Sequence, residues 1–329
     1  MTKVGISGLG AVGSQLLQRL YARTDIDQIF IYDSDYLKLE KYLRFDSRKI
    51  EVSSLSKIEH GDLDLLFLCT PSGQQLEYAH RAVKQGVSVV SSSDRISDVL
   101  GMLSLKEAAE ANNAVVIVGA GFSPGLTCVL ATFLSEEFDV VDEIHIAKDG
   151  TGGPSCARQH HRAMKRPSLD WRDGKWVRRP GGSGRELVWF PEPVGGADCY
   201  RAALPDAALL QPLFPNVSRI TARLSATRQD RFTSWLPMLT PPHNDGGIGA
   251  VRVEVRGRIN ERRETKILGA AAPPSTTSAI ISEMLLPHIL ASQFYGASGV
   301  ASLVPSNQFI SELGRKGVKL FEFDGIPSL

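Results

Sequence analysis

Side chains able to move protons and grip anions crowd into one stretch. Lys148, Asp149, Arg158, His160, His161 and Lys165 all fall between residues 148 and 166. An imidazole can hand over a proton near neutral pH, an ammonium can stand in for it, and a guanidinium can hold a carboxylate through two parallel hydrogen bonds. His160 or His161 is the expected proton donor, with Lys148 as the fallback. Arg158 is the expected carboxylate clamp, with Arg201, Arg228 and Arg231 as other candidates. Any one of these residues alone is more often a surface or structural group, and it is the cluster as a group that points to a site. Adjacent histidines can also mean a metal site, but neither His160 nor His161 is read as having a ligand partner at helical spacing. His145 and His243 would have to be recruited through the fold, so metal is the minor alternative and no metal ligand is assigned.

A second pattern lies near the start, in "KVGISGLGAVGSQLLQRL", where Gly8, Gly10 and Gly13 stand in G-x-G-x-x-G spacing. The spacing alone is a weak signal. Its surroundings strengthen it: an apolar run precedes the glycines, and Val12, Leu16, Leu17 and Leu20 follow at helical spacing. The buried-strand pattern "DQIFIYD" then ends on Asp33, about 20 residues past the last glycine, as in a dinucleotide-binding unit. Gly8 allows a tight turn, Gly10 lets a pyrophosphate approach bare backbone, and Gly13 lets helix and strand pack closely. The N–H groups at the helix start, from Ala11 and Val12 onward, would face the phosphates. Asp33 would accept hydrogen bonds from the adenosine ribose and repel a 2′-phosphate, so NAD is the expected cofactor. NADP is the alternative, because Lys38, Lys41, Arg44 or Arg48 could reach a phosphate.

The elements that must position these groups alternate between strand-like and helix-like runs as far as residue 121. "DLLFLCTPSG", "VSVVSSSD" and "AVVIVGAG" read as strands, and 74–86 and 102–113 as helices. This is an α/β, Rossmann-type doubly wound parallel sheet, whose ligands sit at the carboxyl ends of the strands. Cys69, Thr70, Pro71, Ser92 and Ser93 occupy those ends and are expected to line the cofactor path. Ser123 and Pro124 read as N-cap and first residue of a helix to about residue 135. From about residue 139 the pattern changes to period-two strands at 140–148, 217–227, 250–259 and 264–271, which indicates an α+β second domain with a mainly antiparallel sheet. A capped apolar helix over 275–294 is expected to break or kink at Pro287. The expected division is 1–138 for the dinucleotide-binding domain, with 275–329 available to complete it, and 139–274 for a substrate and dimerisation domain.

Bulk properties agree with this division. The chain has 329 residues, 43% hydrophobic and 22% charged, and a formal net charge of +1, so no global field recruits nucleic acid or an anionic membrane. Its four cysteines are dispersed, with no C-x-x-C pair, which indicates reduced thiols rather than a disulfide framework. No apolar window is long enough for a membrane span and no secretory leader is recognisable, so a cytoplasmic location is expected.

The segments "GLGAVG", "HRAVKQGVSVVSSSD" and "GAGFSPGLTCVLA", with "VDEIHIAKDGTGGP" after them and the tail "VPSNQFISELGRKGVKLFEFDG", resemble the saccharopine dehydrogenase/reductase-like superfamily of NAD(P)-dependent oxidoreductases. The resemblance covers residues 1 to 155 well and the remainder thinly. It implies hydride transfer to or from an amine, imine or carbonyl group on a small, amino-acid-like substrate, and frequently a homodimer. The family's Pro-Gly segment carries an acid before the proline and a histidine soon after the glycine; this chain has Ser123 and Thr127-Cys128 there. Three functions follow: an NAD(P)-dependent dehydrogenase or reductase of a polar, carboxylated substrate; a non-catalytic dinucleotide-binding sensor or scaffold of the same fold; or an oxidoreductase of homoserine- or diaminopimelate-dehydrogenase type.

Overall fold

A computed structural model describes residues 2–43, 49–53, 62–238, 242, 244 and 246–322. The N-terminal apolar runs form a seven-stranded sheet. Its order is Gly296–Gly299, Val115–Val118, Ser88–Ser91, Leu65–Leu68, Lys3–Ser7, Gln28–Tyr32 and Ile50–Val52, and every pair is parallel. Leu65–Leu68 and Val115–Val118 are buried along their whole length, the pattern of strands covered on both faces. The chain moves outward from Lys3–Ser7 in one direction, then returns to start Leu65–Leu68 on its other side. The carboxyl ends of these two strands therefore flank the switch point where such sheets bind ligands. The seventh strand comes from the C-terminal region.

The second sheet runs Glu186–Trp189, Gly196–Arg201, Arg219–Ser225, Val140–Asp149, Gly249–Ile259, Arg262–Ala272 and Leu320–Glu322. Its pairs are antiparallel except Arg219–Ser225 against Val140–Asp149. A hairpin of Ser168–Arg172 and Lys175–Arg179 branches from it. The polar stretch after residue 149 holds more regular structure than its composition indicates. It opens with the helix Pro154–Met164, started by a proline in its first turn and buried on the face bearing Ala157, His160 and Met164.

Three local expectations are corrected. The helix expected over 102–113 is two, Ile96–Leu103, with Ser104 as its C-cap, and Lys106–Ala111. Ser123 does not cap the next helix, which is Leu126–Ser135 with Gly125 at its N-cap. The Ser123 hydroxyl instead donates to Asp206. Pro287 does not end the long C-terminal helix, which continues from Pro274 to Leu290. Burial of that helix along most of its length, and its packing on Ala11–Tyr21, outweigh one lost backbone bond. Among the described residues no helix is long and apolar enough to cross a membrane.

Candidate active site

The three glycines are needed for different reasons. Gly8 has φ +97°, and a Cβ there would lie 2.7 Å from the Cys69 and Thr70 backbone. A Cβ on Gly13 would lie 1.8 Å from the Gly8 carbonyl oxygen, so these two glycines let strand, turn and helix touch. A Cβ on Gly10 would meet nothing within 4 Å. Gly10 is the N-cap of Ala11–Tyr21, where no side chain caps the helix and no acid occupies the first turn. Its bare backbone and the N–H groups behind it face a cleft of about 520 Å³ that Gly8, Ala11 and Val12 also line. This is room and donor chemistry suited to a pyrophosphate.

Asp33 stands at the end of Gln28–Tyr32 and is buried, yet it lines the same cleft. Its Oδ2 accepts from the Leu9 N–H at 2.6 Å and its Oδ1 from the Asp35 N–H at 2.8 Å. The Lys38 ammonium is 3.3 Å from Oδ2. The carboxylate is thus fixed in place while a cation stands beside it. The Lys41 side chain, Arg44 and Arg48 lie outside the described residues, as does His243.

Cys69, Thr70, Pro71 and Ser92 line the cleft. Burial pushes the Cys69 thiol up to about 12, against an opposing hydrogen bond with Ser92, so Cys69 is a neutral wall at physiological pH. Ser93 is not in the lining. It is buried, with its hydroxyl donating to Asp98 at 3.0 Å and its N–H to the Ser91 hydroxyl at 3.2 Å.

The far end of the cleft is built from both sheets. Lys148 sits near the end of the central Val140–Asp149 strand, only 3% exposed, and its ammonium donates to the Ser123 carbonyl at 3.0 Å. Cys156 and His160, one turn apart on Pro154–Met164, face Asp94 from the loop after Ser88–Ser91. The Cys156 thiol donates to Asp94 Oδ2 at 3.1 Å, and His160 Nε2 lies 3.1 Å from the same oxygen. Burial alone would raise the Asp94 pKa, but hydrogen bonding and charge from His160, aided by Lys148 and Cys156, hold it well below the usual carboxylate range. Burial, followed by the Lys148 charge, pushes the His160 pKa down, against the opposing pull of Asp94. Burial and the Asp94 charge push the Cys156 thiol up, so it keeps its proton.

Of the expected catalytic groups, Lys148, Arg158 and His160 line the cleft together, with Arg158 exposed. His161 does not reach it: its Nε2 meets the Leu236 carbonyl at 3.0 Å on another side of the helix. Arg201 pairs with Asp170, and Arg231 stacks on the Tyr200 and Phe232 rings. Neither they nor Arg228 line the cleft. His145 is held by Glu143 and Thr221.

Asp94 and Cys156 are additions that the sequence could have supplied. Cys156 precedes His160 by four residues, a helical ligand spacing, so the expectation that His160 has no such partner is corrected; Asp94 follows the strand Ser88–Ser91, just past Ser92 and Ser93. The positions where the family carries its acid and histidine serve packing here: the Ser123 and Thr127 hydroxyls donate to Oδ1 of the fully buried Asp206, at 3.0 and 2.5 Å.

Residues 3–118 match a family model described as the NAD-binding domain of semialdehyde dehydrogenase. The structure is similar to apo saccharopine dehydrogenase (L-Glu forming) from Saccharomyces cerevisiae, with a TM-score of 0.70 and 13% identity over 98% of this chain and 100% of that one. An amine dehydrogenase from Mycobacterium smegmatis gives 0.56 at 12% identity, over 92% of this chain and 96% of that one. The C. glutamicum DAP dehydrogenase in complex with DAP gives 0.52 at 14% identity, over 96% and 99%. No curated protein sequence matches. Residues 3–118 thus match an NAD-binding domain, and the chain shares the fold of saccharopine dehydrogenase over 98% of its length.

Proposed function

We propose that this protein is an NAD(P)-dependent oxidoreductase that passes a hydride between nicotinamide and a small, polar, carboxylated substrate of amino-acid type. The supporting observation is one continuous cleft, running from the bare Gly10 backbone and Asp33 to the Lys148, Asp94, Cys156, His160 and Arg158 group. When bound, the nicotinamide ring gives or accepts the hydride. Lys148 carries the proton that must arrive on, or leave, the substrate oxygen or nitrogen as the hydride moves. Arg158, exposed at the rim, holds the carboxylate. His160 is the weaker proton donor because its Nε2 is already engaged with Asp94.

The test is a thermal-shift screen of NAD, NADH, NADP and NADPH, followed by absorbance assays with amino, keto and imino acids. Stabilisation by NAD or NADH together with turnover is expected. Stabilisation without turnover on any of these substrates would favour a sensor or scaffold, and no stabilisation by any of the four would remove both readings.

Cofactor preference follows from Asp33. Removing its carboxylate in Asp33→Ala strands the Leu9 N–H and frees Lys38 for a 2′-phosphate. NAD should bind about 10- to 100-fold more weakly, the cost of roughly 1–3 kcal/mol for a lost charged acceptor, and NADP should bind more tightly. Dissociation constants measured for both cofactors check this, and an unchanged NAD constant would remove Asp33 from the ribose. Arg158→Ala should raise KM about 10- to 100-fold and leave cofactor affinity alone, as steady-state kinetics and a cofactor titration would show.

A further inference from the structure

We infer that Asp94, Cys156 and His160 form a binding site for one zinc-class divalent cation in the cleft wall. Their three donor atoms make a nearly equilateral triangle. Asp94 Oδ2 is 3.1 Å from Cys156 Sγ and 3.1 Å from His160 Nε2, and Sγ is 3.3 Å from Nε2. A triangle of this size leaves a point just above its plane at the roughly 2.0–2.3 Å of zinc bonds to oxygen, nitrogen and sulfur.

The arrangement is unlike a nucleophile relay. There, the acid would hold the far ring nitrogen of the histidine and the thiol the near one. Here acid and thiol both face Nε2. Without a cation, the thiol and the imidazole N–H can both donate to Asp94 Oδ2, but then no proton occupies the Sγ···Nε2 edge. One cation satisfies all three edges at once.

The donor set is chemically selective. Thiolate, imidazole and carboxylate together suit zinc or cobalt and disfavour magnesium and calcium. Two donors are supported from behind: the Ser72 hydroxyl donates to Asp94 Oδ1 at 2.8 Å, and a backbone hydrogen bond from Gly152 reaches the Cys156 sulfur. Binding releases the Cys156 proton to solvent as the metal–sulfur bond forms, and the His160 ring proton moves from Nε2 to Nδ1 so that Nε2 can coordinate. Thiolate and carboxylate then cancel the charge of the dication, so the Lys148 ammonium faces a neutral centre. All three residues line the cleft, which leaves a fourth coordination position for water or a substrate oxygen. Use of that position by substrate rests on the oxidoreductase function; cation binding does not.

The experiment is a titration of the chelator-treated full chain with Co²⁺, followed by competition with Zn²⁺. One equivalent should bind and produce a thiolate-to-cobalt charge-transfer band, which Zn²⁺ bleaches. Cys156→Ser should remove the band, and His160→Gln and Asp94→Asn should each weaken binding by about 100-fold or more. Absence of the band in the parent chain would overturn the site, and so would unchanged affinity in the three variants. The parent spectrum decides the matter even if a variant does not fold. Stabilisation by NADH, measured on the same preparations, separates the outcomes: a parent chain that binds NADH but no cation overturns the cation site alone.

Discussion

Gly10→Ala should fold like the parent chain and lose about 100-fold or more in cofactor affinity, whereas Gly13→Ala should fail to hold the fold. Both changes add one methyl group within a four-residue stretch. At Gly10 that methyl meets no protein atom within 4 Å, and the residue lies outside the positive-φ region, so the folded chain accepts it. With the cofactor placed as proposed, the methyl would occupy the space through which phosphate oxygens approach the uncapped helix end. At Gly13 it falls 1.8 Å from the Gly8 carbonyl oxygen, a backbone atom in a turn already closed against Cys69 and Thr70. Relief would require Ala11–Tyr21 to move off the sheet and away from Pro274–Leu290, in the class of overpacking that costs several kcal/mol. Thermal melts and cofactor titrations of both variants test the pair. A Gly10→Ala chain that bound cofactor normally would move the pyrophosphate away from this turn.

Lys148→Met should lower turnover by about 10²- to 10⁴-fold while leaving cofactor affinity within a few-fold. The range is that expected when a positioned proton-transfer group is lost. Methionine retains most of the apolar stem in a site only 3% exposed, so packing changes little. The Ser123 carbonyl loses its donor, a cost of about 1–3 kcal/mol, offset in part because a charge no longer has to be buried. His161→Ala is the control. Its imidazole bonds to the Leu236 carbonyl outside the cleft, so kcat should stay within a few-fold of the parent. Single-turnover and steady-state rates on any accepted substrate would settle the contrast; full activity in Lys148→Met would place the proton elsewhere.

The N-terminal half was legible because its signals are local. Fully apolar strands, glycine turns and amphipathic helices are written in contiguous residues, and the parallel sheet follows from their alternation. The errors came where tertiary contacts override local preference. Ser123 looks like a cap, but a buried acid 83 residues later claims its hydroxyl. Pro287 looks like a terminator, but the helix around it is buried too thoroughly to end there. Within the cluster at 148–166, composition indicated chemistry and could not rank the residues. Two adjacent histidines on one helix point about 100° apart, so one reaches Asp94 and the other Leu236.

The sequence by itself determined the dinucleotide turn, the acid at the end of the second strand, the doubly wound sheet and the segment that carries the polar chemistry. Each is encoded by neighbours in the chain, through steric freedom at glycine and the periodicity of apolar side chains. Only the tertiary structure decided which of those polar groups share a cleft, that Asp94 meets Cys156 and His160, and that Lys148 is buried against the Ser123 carbonyl. Those contacts join residues 25 to 66 positions apart, across two sheets whose relative placement depends on how their faces pack, and no local pattern specifies it.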